Sequence, residues 1–547
     1  MPVPDPLNKI PMAYRAQVQG RCQIQRLDPH RQGKQDAELW AEELIREIHP
    51  QPPAFPNLQT RTYQITWRFV TNSGQDEGVI RPVLGARGYP FYPGSSMKGA
   101  FRRACTREQA VRYCGSPANS RELHPGILRF HGGYPTSNNW RNKLVDIVHP
   151  QQQRQVISRN QSQGSSAFVQ ISLYQPELRF AISSTEPLSD EEWETIWKIW
   201  EKAFAKGIGC RVSAGYGHAK AVAGERLYVV HSLKGQGMAS KLLSGEGEFR
   251  PNMFRAALRG HAMRIFGGLT DERTATREVE RLFGGVSGHG TVGLLLMNFT
   301  THRLEMGRFG SGNWEVPTYK VEGDLEWLLA KSVDDPRKRN VLQQLIEQLN
   351  IFAVTFGGFG KSWRRADHRL FYKEYYQANN RPLIGCHWQW LENPLKSKLA
   401  RSGLATITNF LDTLQNTARE WLSMYNVQFS NSCNWREAWR RGNVRVWGRL
   451  AENREDSLAI DWLHREYARG KSIKRTFLTG RMGTIGRLWH RMFPVIDMVD
   501  GKRQTLKLNG QSVEYIELLT IFPDNSPECR DFLQFLTDRR EFQKLWG

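Results

Sequence analysis

The sequence predicts an α+β protein in which one domain is laid down twice in tandem, followed by a partly helical C-terminal region. Three observations carry that prediction. Runs such as TYQITWRFV at Thr62–Val70 put Tyr63, Ile65, Trp67 and Phe69 on one face, the period of a half-buried strand. Segments of helical period lie between such runs, and at Ser189–Phe204 the SDEE opening supplies a cap and an acidic first turn. Four features then recur in the same order at a period of roughly 180 residues, too long for a solenoid repeat. PGSSMKGAFRR pairs with RPNMFRAALRG, RYCGS with RLFGG, GILRFHGGYP with TVGLLLMNFT, and the glycine-rich turn GIGCRVSAGYGH with FGGFGKSWRR.

At 547 residues the chain is too long for a single core, and two to four domains are expected. Hydrophobic residues make up 39% and charged residues 24%, the balance of a soluble globular chain. Lys and Arg outnumber Asp and Glu by 76 to 54, and the resulting +22 is spread along the chain, so it belongs to folded surfaces that meet a polyanion. Nucleic acid leads an anionic membrane as that partner, because several of the 18 tryptophans stand among arginines and suit unpaired bases as well as a core. The start, MPVPDPLNKIPMAYRAQ, has no apolar core of a signal peptide, and the most apolar run, Val292–Met297, is only strand-sized. Seven scattered cysteines without a CxxC argue against a disulfide framework. A cytoplasmic protein with no membrane partner is therefore expected.

Residues 1–60 read as an extension with a strand-like Tyr14–Leu27, a helical Asp36–Ile48 and the linker HPQPPAFPN. The first domain spans 61–225. After the Thr62–Val70 strand come the polar loop TNSGQDEG, then VIRPVLGARG, then Gly88–Arg103 (GYPFYPGSSMKGAFRR). Pro93-Gly94 is turn chemistry, Ser95 or Ser96 is placed to cap the following helix, and Lys98, Arg102 and Arg103 add positive charge beside a helix start. A strand follows through Ile127–Phe130, a polar insertion or mobile loop over Asn138–Gly164, a strand-like Ala167–Ile182, the Ser189–Phe204 helix and the glycine turn. The second domain spans 226–547, with a strand at Arg226–Leu233, a helix at Arg250–Phe266 and a strand at Thr291–Thr300. A helix at Asn340–Asn350 and the Phe356–Arg365 turn follow. Residues 374–465 read as a large insertion in it, with a separate C-terminal domain as the other reading. The Trp/Arg segment 435–449 reads as core packing with a basic outer face, or else as a base-stacking platform.

These motifs resemble the RAMP superfamily of CRISPR-associated proteins, and more closely the Cas-seven-type subunits that form the backbone of type III effector complexes. The elements that match are Asp76 in its loop, Tyr89–Pro93, the turn and helix Pro93–Arg102, Tyr113–Ser116, and the glycine turn Gly207–Gly217. PGSSMKGAFR is nearly the family pattern, whereas RPNMFRAALRG is a degenerate copy of it. The resemblance covers roughly residues 60–370 and, more loosely, the last 80; it leaves 1–60 and most of 380–465 unexplained. It implies an RRM-like, ferredoxin-type core in each unit, with guide RNA, target RNA and other type III subunits as partners.

The resemblance also implies the site residues. The catalytic carboxylate falls on Asp76, in DEGVIR, with Asp28 a weaker second candidate. Such a carboxylate orients a ribose 2′-hydroxyl or holds a divalent metal, Mg in the first instance, for in-line attack on the neighbouring phosphate. An exposed loop acid is the plain alternative. RNA contacts fall on Ser95, Ser96, Lys98, Arg102 and Arg211 in the first domain, and on Arg250, Arg255, Arg259, Lys361, Arg364 and Arg365 in the second. The second domain's equivalent loop, GQGMASKLLSGEGEF, has no Asp, so that copy binds without cutting. A zinc site from Cys105, Cys114, His124 and His131 fits no common finger spacing, and GSSMKGA lacks Walker A spacing. Two rival readings are a non-catalytic RNA-binding subunit and a RAMP-type processing endoribonuclease using histidine acid–base chemistry.

Overall fold

The structure, a computed structural model, describes residues 53–56, 58–72, 74–76, 79–85, 89–117, 122–141, 143–148, 168–220, 226–228, 232–242, 246–285, 290–375, 381–427, 429, 433–481, 484–499, 502–508 and 511–547. Asp28, the Tyr14–Leu27 strand and the Asp36–Ile48 helix lie outside them. The described chain up to residue 220 forms one compact unit, and residues 226–241 and 246–547 form the other. Helices and antiparallel sheets alternate in both, which is the expected α+β class.

In the first unit the chain order is β1 (Gln59–Gln64), β2 (Gly74–Asp76), β3 (Val79–Arg81), α1 (Gly94–Ala104) and α2 (Arg107–Cys114). Then come β4 (Leu128–Pro135), β5 (Val145–Val148), β6 (Phe168–Ile171), β7 (Glu177–Ser184) and α3 (Asp190–Phe204). The main sheet runs β1-β7-β4, antiparallel throughout, and the isolated antiparallel bridge Ile65–Ala219 adds a fourth element beside β1. Helix α1 packs on β4 and on α3. Their shared core holds Tyr63, Tyr92, Phe101, Phe180, Trp200 and Phe204. Ser189 caps α3 by accepting the Glu192 amide at 3.3 Å, with Asp190, Glu191 and Glu192 against the positive end of the helix dipole. The strand expected over Ala167–Ile182 is broken instead, because Gln175 takes a positive φ of 44° before Pro176 and the chain turns there.

The second unit continues with β8 (Arg226–Tyr228), β9 (Ser232–Met238), α4 (Asn252–Gly267), α5 (Glu272–Phe283), β10 (Leu295–Phe309), β11 (Val316–Leu329), α6 (Pro336–Phe356), β12 (His387–Trp390) and α7 (Ala405–Ser423). Its first sheet is ordered β12-β9-β11-β10, antiparallel at every pairing, with β8 also along β11. The expected Thr291–Thr300 strand is found as the much longer β10. Its distal half, THRLEMGRF, is solvated and mostly polar, so hydrophobic alternation stops while the hairpin with β11 goes on.

The last hundred residues carry a sheet of their own. β13 (Arg445–Ala451), α8 (Leu458–His464), β14 (Leu488–Pro494), β15 (Tyr515–Ile521), α9 (Pro527–Asp538) and β16 (Gln543–Trp546) give the antiparallel order β14-β15-β13-β16. Trp447, Leu488, Leu519 and Ile521 pack with Trp462, Phe532 and Leu536 from α8 and α9. Trp489, Phe493, Ile516, Leu518 and Trp546 on the other face join the core that contains α4, α6 and α7. Every residue of β14 and β15 is buried. Among the described residues no helix is long and apolar enough to cross a membrane.

Candidate nucleic-acid interface

The turn before α1 is fixed by backbone crowding. Tyr92 and Gly133 exchange backbone hydrogen bonds of 2.8 and 2.9 Å, so the chain meets the free edge of β4 just before it turns. A Cβ on Gly94 would overlap the Phe130 carbonyl oxygen, and one on Gly132, at φ 89°, would overlap that of Tyr92. The helix consequently opens at Gly94. The cap position belongs to Pro93, whose carbonyl accepts the Met97 amide at 2.9 Å. This corrects the expected serine cap: Ser95 and Ser96 lie inside the first turn, exposed, and α1 has no side-chain cap and no acid in that turn. Lys98 and Arg103 are exposed and Arg102 is half-buried. The result is a helix start with Lys98 one turn in and no acid in the first turn, while Arg102 and Arg103 lie in the last turn.

Beside it, the glycine turn is built against the end of the first strand segment. Cys210 and Gly217 donate backbone hydrogen bonds of 2.8 Å to the carbonyls of Val70 and Arg68, and a Cβ on Gly209, at φ 80°, would overlap the Val70 oxygen. Arg211 follows in the left-handed region at φ 59° and is exposed. Asp76 is the last residue of β2, paired with Val79 of β3, at the end of a hairpin that leaves the same strand segment. Its side chain is outside the described residues.

In the second unit the glycine turn repeats this geometry, with Gly360 at φ 88° and Ser362 at φ 59°. The expected cations separate into two groups. Arg250 is buried and pairs with Glu248 at 2.9 Å. Lys361, exposed in the turn, reaches the Ala239 carbonyl at 3.4 Å, and its pKa is pushed down by burial of its stem and by the nearby charges of Arg250 and Lys241. Lys241, Arg250 and Lys361 thus lie close to one another. Lys241 was missed in the sequence because its loop carries no motif.

The other four expected contacts are half-buried and hydrogen-bonded within the protein. Arg255 donates to the Phe283 carbonyl and Arg259 to that of Gly284 at 2.7 Å, so both close the C-terminus of α5. Arg365 donates to the carbonyls of Leu488 and Thr479. Arg364 reaches Glu437 at 2.9 Å. Glu437 also accepts from Arg264 at 2.6 Å and Arg436 at 2.7 Å, and Arg264 lies between the rings of Trp363 and Trp489 at 5.2 and 5.4 Å. These arginines join the β-sheet of the last hundred residues to α4 and the glycine turn. Trp435, Trp439 and Trp447 are buried as well, so core packing describes 435–449 and a stacking platform does not.

His218, His368 and His387 are buried, and burial holds the last two near pKa 3. In the drawn zinc set, His131 contacts Ser183 Oγ at 2.8 Å and His124 stands 3.5 Å from Glu122. Among the described residues no three His, Cys, Asp or Glu side chains gather closely enough to hold a metal ion.

No family model matches the chain, and no curated protein matches it. Among solved structures, a type III-B Cmr-beta complex bound to cognate target RNA matches at 16% identity and a TM-score of 0.23. That match covers 29% of this chain and 56% of the other, little more than half its length. A type IV-B CRISPR complex matches at 15% identity and a TM-score of 0.20, over 30% of this chain and 91% of the other. These are similarities of fragments, too slight to transfer a function.

Proposed function

We propose that this chain is a tandem RAMP-type backbone subunit of a type III CRISPR effector complex, holding guide RNA along its domains and cutting bound target RNA with Asp76. The observation that carries the reading is the conformation of PGSSMKGAFR, a crowded turn into a helix with exposed Ser95, Ser96 and Lys98 and no acid in its first turn. An RRM-like core in each unit is supported by chain order. Strands and helices alternate as β-α-β-β-α-β, and the second unit's first sheet has the order fourth-first-third-second of that motif. The first unit keeps first-third-second with its bridge at Ala219 beside the first strand, and the last sheet follows the same order again.

The chemistry assigned to this chain is a proton transfer. A carboxylate at Asp76 accepts the proton of the ribose 2′-hydroxyl, and the oxygen attacks the adjacent phosphorus in line as the 5′-oxygen leaves. Lys98 and the first amides of α1 hold the flanking phosphates so that the attacking oxygen is aligned. A divalent cation, when bound, would stabilise charge on that phosphate. The test is Asp76→Ala in the assembled complex. Target cleavage should fall by at least about a hundredfold at the positions this subunit serves, with guide RNA content unchanged. Undiminished cleavage at every position would leave a purely RNA-holding subunit. Precursor processing by the isolated chain in EDTA would instead mark a metal-free processing enzyme.

A further inference from the structure

The main sheet of the first unit has one face on α1 and α3 and one face turned away from them. Register assigns the residues of the second face. Thr62, Arg179 and Tyr134 form one row across β1, β7 and β4, and Thr60, Ala181 and Gly132 form the next. Arg129 and Ser183 form a third. The irregularity between Phe130 and Gly132 lets His131 onto the same face, where its Nε2 lies 2.8 Å from Ser183 Oγ. Thr60, Thr62, Arg129 and Arg179 are exposed, and His131 and Tyr134 are half-buried.

Rings collect on this face. Phe91, three residues before the helix start, stacks on Tyr134 with centroids 5.1 Å apart and planes 10° apart. Phe55 approaches Tyr134 at 5.7 Å and His131 at 6.4 Å. All four rings stand half-buried at the surface although Tyr92, the neighbour of Phe91, is 5% exposed in the core on the opposite face. The charges beside them are Arg179, directly across from Tyr134, and Arg129, whose Nη1 donates to the Gly126 carbonyl at 2.7 Å. One carboxylate, Glu177, lies at the end of the face and accepts from Thr136 at 2.5 Å. Among the described residues the two sheets of the second unit that share this strand order differ. The corresponding rows of β9 and β11 are Ser232, Lys234 and Gln236 beside Asp324, Glu322 and Lys320, and the last sheet is covered on both faces.

We infer that this face is a stacking platform for unpaired bases of a single-stranded RNA. Flat rings accept any base, and the Arg179 guanidinium meets the phosphate or a base plane beside them. Gly94 lies against β4, so a strand lying on the rings runs towards the start of α1 and Lys98. A protein partner would also bury rings; the arginines, the thin acid content of the face and its continuity with that helix start favour a polyanion. The inference deepens the RNA-holding reading and rests on it.

The test uses the full chain and a fluorescein-labelled oligouridine, with an RNA duplex of equal length as a second probe, in fluorescence anisotropy. The pair Phe91→Leu and Tyr134→Leu keeps apolar bulk and removes the flat faces. Oligouridine affinity should drop at least about fivefold, with the salt slope and duplex binding unchanged. Arg179→Ala should weaken oligouridine and lower the salt slope by about one, and it settles the matter if the leucine pair melts early. Oligouridine binding by the parent chain that all three substitutions leave intact overturns the platform and leaves the RNA-holding reading standing. Absence of any RNA binding by the parent chain overturns both. Normal oligouridine binding with lost assembly of neighbouring subunits makes the face a protein contact and overturns the platform.

Discussion

Replacing Glu437 with glutamine should unfasten the second unit. The carboxylate is fully buried, as is Arg264, and it accepts hydrogen bonds from Arg264, Arg364 and Arg436 at 2.6 to 2.9 Å. Those three guanidinium groups hold its pKa down at about 2 against the burial that would raise it. Burial pulls Arg264 down to about 10, which leaves it charged at neutral pH, so Glu437→Gln strands a buried cation. Removing one partner of a buried pair costs about 3–5 kcal/mol. The pKa depression corresponds to about 3 kcal/mol, which agrees. For a unit of this size that lowers the thermal midpoint by roughly 4–8 °C. Thermal unfolding followed by circular dichroism, with proteolysis to identify the unit that opens, reads the effect. A midpoint within about 1 °C of the parent would refute the reasoning, because it would mean the three arginines are neutralised some other way.

The same carboxylate, together with Glu517, sets a pH dependence. Glu517 is held at about pKa 2 by His490, Arg449 and the Ser457 hydroxyl, and it also takes the Leu458 and Ala459 amides at the start of α8. Both folded pKa values lie below the unfolded value, so their stabilisation is complete above about pH 4.5 and drains away between there and about pH 2. Urea midpoints should fall already from about pH 6.5, because His368 and His387, held near pKa 3, take up a proton only on unfolding, and fall more steeply below about pH 4.5 as the two carboxylates protonate; a decline that does not steepen there would count against the ion clusters. Gly94→Ala places a Cβ on the Phe130 carbonyl oxygen and should cost about 1–3 kcal/mol in the first unit. Hydrogen exchange should then quicken over 93–104 while α6 stays protected, and unchanged exchange there would show that the turn has room.

Helices with local signals were legible. Ser189–Phe204 is marked by its cap and acids. The helix-ending glycines are legible as well, since such positions are dictated locally: Gly115 and Gly284 both end a helix at positive φ, of 91° and 80°. What escaped depends on partners distant in sequence. Arg364 and Arg365 read as surface cations because Glu437, Thr479 and Leu488 are 73 to 123 residues further along. Arg255 and Arg259 share a helix face, as the spacing says, but that face meets the end of α5. The third β-α-β-β-α-β sheet was hidden for a related reason. A strand buried on both faces, such as YIELLTI, loses the alternation by which a half-buried strand is recognised.

That double burial bears on how the protein is made. Helices α6 and α7 leave the ribosome with an apolar wall whose cover is β13 to β16, and the cover closes only when Trp546 reaches Trp439, with ring centroids 6.0 Å apart, and its indole N–H reaches Asp412 at 3.1 Å. The second unit therefore waits, half-built and adhesive, through the synthesis of more than a hundred residues. During that interval the growing chain is a natural client for a holding chaperone, and a nonsense change that removes the last strand should leave an aggregating product rather than a shorter working one.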